Sequence, residues 1–108
     1  MKSVDYEVGS GNVFRDLGLA DADELDAKAS LAIEIAQIIG KRGLTQTQAA
    51  RLLGVDQPKV SAIVRGHLEK FSLERLCDFL TRLGCDVDIR VRAKSKRAAP
   101  GRMSVSVG

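Results

Sequence analysis

The stretch from Thr45 to Arg65 constrains this chain most, because it reads as two short helices joined by a tight turn. Thr45 and Gln48, three residues apart, form a capping box, in which a hydroxyl and an amide side chain satisfy the free N–H groups at a helix start. Gly54 suits the turn, since glycine adopts left-handed backbone conformations without a Cβ clash. The sequence therefore predicts one helix that begins after Thr45 and ends at Gly54, followed closely by another.

The sequence allows two starts for the second helix, one residue apart. Proline favours the first helical position and pushes the preceding residue away from helical conformations, so Gln57 could be the cap and Pro58 the first helical residue. Helical spacing assigns a buried face across both helices to Ala49, Leu52, Leu53, Val55, Val60, Ile63 and Val64. It assigns an outward face to Gln57, Lys59, Ser61, Ala62 and Arg65.

Two such helices with polar residues outside predict a helix-turn-helix, whose second helix enters the major groove of DNA. The positions of Gln46, Ala50, Gly54, Val60 and Ile63 resemble those of the lambda-repressor-like helix-turn-helix family, also called the XRE family. Many members carry an acidic residue just before the glycine that follows the second helix, whereas Val64 and Arg65 precede Gly66 here. The resemblance implies an all-α, four- to five-helix DNA-binding domain.

Six residues are predicted to contact DNA: Gln46, Gln57, Lys59, Ser61, Ala62 and Arg65. Gln46, at the start of the first motif helix, is expected to hold a phosphate together with the helix N-terminus. Lys59 and Arg65 suit guanine edges and Gln57 suits adenine, but either cation could hold a phosphate instead.

Two further helices complete the predicted core. Asp21 and Glu24 resemble a capping box at the start of a helix whose apolar residues Leu25, Ala29, Ala32, Ile35 and Ile39 recur at helical spacing. Ser72 caps the other, in which Leu73, Leu76, Leu80 and Leu83 form a buried stripe. Together with the motif helices, these predict one all-α core between about residues 25 and 83.

The residues after Gly84 predict a β-strand, because Cys85, Val87, Ile89 and Val91 alternate with charged residues. A single strand needs a neighbouring strand to take its backbone hydrogen bonds. We expect the strands of two protomers to pair about a two-fold axis, with Val87, Ile89 and Val91 at the interface of a homodimer. The same strand could instead fold back on the N-terminal arm or receive a partner protein.

Charge and composition divide the rest of the chain. Residues 1–40 carry three basic and eight acidic side chains, a net charge of −5, whereas residues 41–108 carry fourteen and six, a net charge of +8. The basic half suits phosphate contact and the acidic half a basic partner, although scattered charge is often merely solvated. We expect a flexible arm over 1–20, the helix-turn-helix domain with its strand over 21–92, and a disordered basic tail over 93–108.

The order of these segments over residues 12–92 resembles the HigA-type antitoxins. That resemblance implies neutralisation of a basic, RelE-like ribonuclease toxin of a type II toxin-antitoxin pair, together with repression of the antitoxin's own operon on an inverted repeat. Its toxin-binding residues would be Val13, Phe14, Leu17 and Leu19 of the arm. The alternatives are a solitary XRE-family regulator without a toxin, and an arm that merely packs on the helix beginning near Asp21.

Other function classes find little support. With one histidine, His67, and no CxxC spacing between Cys77 and Cys85, no metal site or redox pair is expected. No catalytic constellation or phosphate-binding glycine loop is present, so we expect neither enzyme activity nor a cofactor. RNA recognition would need exposed aromatic residues, and the chain has only four aromatic residues. Without a signal peptide or an apolar run long enough to span a bilayer, a cytoplasmic protein is expected.

Overall fold

The computed structural model describes residues 21–93 and 101–108. The described chain contains four helices: α1 (Asp21–Lys41), α2 (Gln46–Leu53), α3 (Gln57–Val64) and α4 (Leu73–Arg82). The all-α prediction with four helices is therefore confirmed. The predicted arm over 1–20, with its four apolar residues, lies outside the described residues, as do residues 94–100.

The core forms where α1 packs against α4 and α3, while α2 packs mainly on α3. Its largest fully buried side chains are Ile35, Leu53, Val60, Ile63, Leu76 and Phe79. Phe71, just before α4, meets Phe79 edge to face, with ring centroids 6.1 Å apart, a favourable arrangement for aromatic pairs. Both motif helices are thus anchored to one apolar centre, which fixes their orientation.

Local sequence signals set the helix ends as predicted in two cases. Thr45 and Gln48 form the complete capping box at the start of α2, with reciprocal hydrogen bonds of 3.0 and 2.8 Å. Ser72 caps α4, its hydroxyl accepting from the Arg75 amide at 3.1 Å. The predicted stripe of α4, Leu73, Leu76, Leu80 and Leu83, is buried.

Helix α1 buries only part of the predicted face. Ala32, Ile35 and Ile39 are buried, but Leu25 is 62% exposed and Ala29 is also exposed. The remaining buried apolar positions are Ala27 and Leu31. Because α1 carries apolar residues on two faces, spacing alone could not tell which face meets the core. The second face leaves an exposed apolar stripe on α1, formed by Leu25, Ala29 and Ile33.

No β-strand forms within residues 21–93 and 101–108, so the predicted strand after Gly84 is not formed by this single chain. Cys85 and Val87 pack partly against the core, but Ile89 is 73% and Val91 91% exposed. A strand requires a neighbour to take its backbone hydrogen bonds, and the described residues supply none.

The last residues of the chain are not simply solvated. Met103 and Val105, in the region expected to be a disordered basic tail, are partly buried against the helical core. Arg102, Ser104 and Ser106, which alternate with them, are exposed. The apolar residues at the end of the chain therefore extend the packing around the helices.

A substitution tests the packing of α2. Ala50 is buried, so Ala50→Leu should overpack the core and lower the free energy of unfolding by about 1–3 kcal/mol, measured by urea denaturation. The same change at the exposed Ala29 should cost far less. Equal stability of the Ala50 variant and the wild type would contradict this position for α2.

Candidate nucleic-acid interface

The turn between the motif helices is made by Gly54, whose φ of 73° lies in the left-handed region predicted for it. The Gly54 amide donates to the carbonyl of Ala50 at 2.9 Å, and the Val55 amide donates to the same oxygen at 3.1 Å. These bonds close the end of α2 and direct the chain straight into α3.

Helix α3 begins one residue earlier than the alternative with Gln57 as cap. Asp56 is the cap, and its Oδ1 accepts from the Lys59 amide at 3.3 Å, so Gln57 is already helical. An aspartate three residues before that amide is a recognisable cap signal, which the proline at 58 obscured. Asp56 also lies 3.7 Å from the Lys59 ammonium, in an exposed pair that holds the lysine only weakly.

The predicted contact residues Gln46 and Gln57 touch each other. Gln57 Nε2 donates to Gln46 Oε1 at 2.6 Å, joining the first residues of α2 and α3. Each amide keeps a free polar group: Gln46 retains its NH₂ donors, and Gln57 retains its carbonyl acceptor. The pair can therefore offer donors to a phosphate oxygen and an acceptor to the exocyclic amine of adenine.

The other predicted contact residues are spread along α3. Lys59 is exposed near its start, while Arg65 is exposed and caps its C-terminal end, about 9 Å further along the axis. Ser61 is half-buried, and Ala62 packs partly on the core. The structure thus brings Gln46 and Gln57 together with Lys59 nearby in sequence, and places Arg65 apart from them.

Two motif residues are more exposed than predicted. Leu52 is 39% exposed and Val64 42% exposed, although both were expected to face the core. Val64 lines a shallow apolar groove between α1 and the end of α3, here called the α1–α3 groove, with Ala32, Ile33, Ala36 and Leu68. Sequence spacing missed this groove because α3 has only two fully buried positions, Val60 and Ile63.

The remaining chemistry of the described residues is modest. No group of His, Cys, Asp and Glu within 21–93 and 101–108 could hold a metal ion. Burial, with a smaller effect from Glu74, raises the pKa of the Cys77 thiol, which keeps it protonated and poorly nucleophilic at neutral pH. No helix of this part of the chain is long and apolar enough to cross a membrane.

Two helices held at a glycine turn, with amide and cationic side chains on the exposed face of the second, define a DNA-binding helix-turn-helix protein. The sequence model of a family described as "Helix-turn-helix domain" matches residues 13–92. A solved structure named "Putative XRE Family Transcriptional Regulator" is 42% identical and superposes with a TM-score of 0.75, covering 82% of this chain and 100% of that one. A search of curated proteins gives no match. The chain belongs to the XRE-type helix-turn-helix family.

Alanine substitutions can show whether Lys59 and Arg65 contact bases or phosphates. If Lys59 or Arg65 contacts a base, its replacement by alanine should cost about 1–3 kcal/mol of specific binding and much less on random duplex, measured by fluorescence anisotropy. Arg75→Ala, on α4 outside the motif, is the control for a lost surface cation. An equal loss on both duplexes would assign the residue to the phosphate backbone instead.

Proposed function

We propose that this protein is a sequence-specific antitoxin of a type II toxin-antitoxin pair, which represses its own operon and neutralises a RelE-like ribonuclease toxin. Membership of the XRE-type family carries the DNA-binding part of the proposal. The observation that carries operator recognition is the hydrogen-bonded pair of Gln46 and Gln57, with the exposed Lys59 nearby in sequence on α3. The toxin part rests on the resemblance of residues 12–92 to HigA-type antitoxins and on the surface of α1.

Recognition of an inverted repeat requires two recognition helices, so the proposed active form is a homodimer. Ile89 and Val91 support this, because the described residues of one chain leave them largely exposed, whereas Val87 is half-buried. Burying these three residues against a second copy removes apolar surface from water and gives each extended segment a mate. A two-fold dimer reads an inverted repeat, with half-sites about 34 Å apart.

The proposed toxin-binding surface consists of the arm and the exposed apolar stripe of helix α1. Leu25 and Ile33 of α1 are apolar and exposed, and the exposed carboxylate of Asp26 lies on the same helix. Glu24, by contrast, lies 3.7 Å from Lys28 in a largely buried pair and offers less charge to a partner. The matched family span begins at residue 13 and includes all four proposed anchors of the arm: Val13, Phe14, Leu17 and Leu19. An apolar stripe with acidic neighbours suits a basic toxin.

The second candidate is a solitary XRE-family regulator without a toxin. It is favoured by the similar solved structure, whose name refers to transcriptional regulation and to no toxin. The two candidates share the same operator binding and differ only in whether the arm and α1 receive a basic protein partner.

Operator binding is the first test of both candidates. The protein should bind the duplex upstream of its own reading frame far more tightly than random duplex of equal length, and the affinity should fall steeply as salt rises, because phosphate contacts release counterions. A gel-shift titration at several salt concentrations measures both effects, with the Lys59→Ala/Arg65→Ala double variant as control. Equal affinity for the two duplexes would remove the repressor proposal.

Protection by the full-length chain separates the antitoxin from the solitary regulator, and deletion of the arm tests where the toxin binds. A chain lacking residues 1–20 should still bind the operator but should no longer protect cells that express the toxin encoded beside it. Deletion of residues 1–11 alone is the matched control, since it leaves the four apolar anchors in place and should preserve protection. Full protection by the longer deletion would place toxin binding elsewhere.

A further inference from the structure

Residues 86–92 carry a charge pattern that reverses about Ile89. Asp86 and Asp88 precede this residue, and Arg90 and Arg92 follow it, each separated by one apolar residue. All four charged side chains are exposed. In an extended chain, alternate residues share a face, so the four charges lie on one side and Val87, Ile89 and Val91 on the other.

No residue in the described part of this chain pairs with the backbone groups or the charged side chains of residues 86–92. The last backbone hydrogen bond before it runs from the Cys85 amide to the Leu80 carbonyl, and residues 86–93 make none with other described residues. The three ion pairs of the described residues all lie within α1, α3 with its cap, and α4. Among the described residues, the segment therefore has no backbone hydrogen-bond partner, two largely exposed apolar side chains and no ion pair for its four charges.

We propose that residues 86–92 pair antiparallel with the same residues of a second copy in a single register, centred on Ile89. This register, which rests on the proposed homodimer, sets Ile89 opposite itself and Val87 opposite Val91 of the partner subunit. On the other face, Asp88 lies opposite Arg90 of the partner subunit. Asp86 lies opposite Arg92 of the partner subunit, so the two-fold axis generates four ion pairs of opposite sign.

Neighbouring registers are unfavourable. A shift of the pairing centre to residue 88 or 90 sets Asp88 or Arg90 opposite its own copy, and like charges directly opposite are destabilising. A centre between two residues pairs positions of opposite parity, which sets apolar side chains against charged ones. Only the register centred on Ile89 pairs apolar residues on one face and opposite charges on the other. Its apolar face includes Val87, which is partly buried against the core.

Charge exchange tests this register directly. Asp88→Arg alone and Arg90→Asp alone each replace two attractive pairs with two repulsive ones, so each should raise the dimer dissociation constant about tenfold or more, measured by analytical ultracentrifugation. The D88R/R90D double variant should recover dimerisation to near the wild-type value. Mixing the two single variants should also give dimers, because each D88R chain then faces an R90D chain with opposite charges restored.

The matched control is D86R/R90D, which has the same composition and net charge as the double variant. In the proposed register it leaves like charges opposite each other and should not recover. Ile89→Asp, with a charge at the two-fold seam, gives a monomer reference, and circular dichroism should report unchanged helix content throughout, since these residues lie outside the helical core.

Equal dimerisation by both double variants, or no effect of either single variant, would overturn the register. A wild-type chain that is monomeric at all concentrations would overturn the dimer as well. Operator binding in the gel-shift titration is independent of the choice of register, so a failed register with intact, specific DNA binding leaves the proposed function standing.

Discussion

The backbone conformation of Gly54 is the constraint on which the rest of the site depends. Its φ of 73° is strained for any residue with a Cβ, and a Cβ built there would approach Nη1 of Arg82 to 3.2 Å. The backbone conformation therefore selects glycine, whereas the Arg82 contact involves only the end of a flexible, half-exposed side chain that can shift. Because the turn is this tight, the direction in which α2 ends largely decides where α3 lies.

Helix α3 is short, and two residues hold it in place. Val60 and Ile63 are fully buried, while the rest of the helix is exposed or half-buried. Helices of this length are marginal in water by themselves, so the contacts of these two side chains with the core keep α3 folded. The exposed polar residues of α3 consequently contribute little to the core and can differ without loss of its packing.

The sequence predicted the helices, the capping box at Thr45, the turn at Gly54 and the all-α class, because these depend on local signals. It predicted only part of the buried face of α1, since that face depends on the elements that α1 meets. The exposure of Val64 was not predicted either, because α3 has too few buried positions to show a clear helical period. The predicted strand around Ile89 would need a neighbouring strand, which the described residues do not supply. Of the predicted site, the contact between Gln46 and Gln57 joins two helices and has no signature in either one alone.

That contact has a consequence for the thermodynamics of recognition. A free glutamine on a protein surface samples many rotamers, and fixing it on a ligand costs conformational entropy. Gln46 and Gln57 already restrict each other through their 2.6 Å bond before any DNA arrives. Much of the loss of rotamer freedom is thus incurred during folding, where the packing of the helices compensates for it. A pair of side chains restricted in this way keeps little freedom with which to adapt to a ligand of a different geometry.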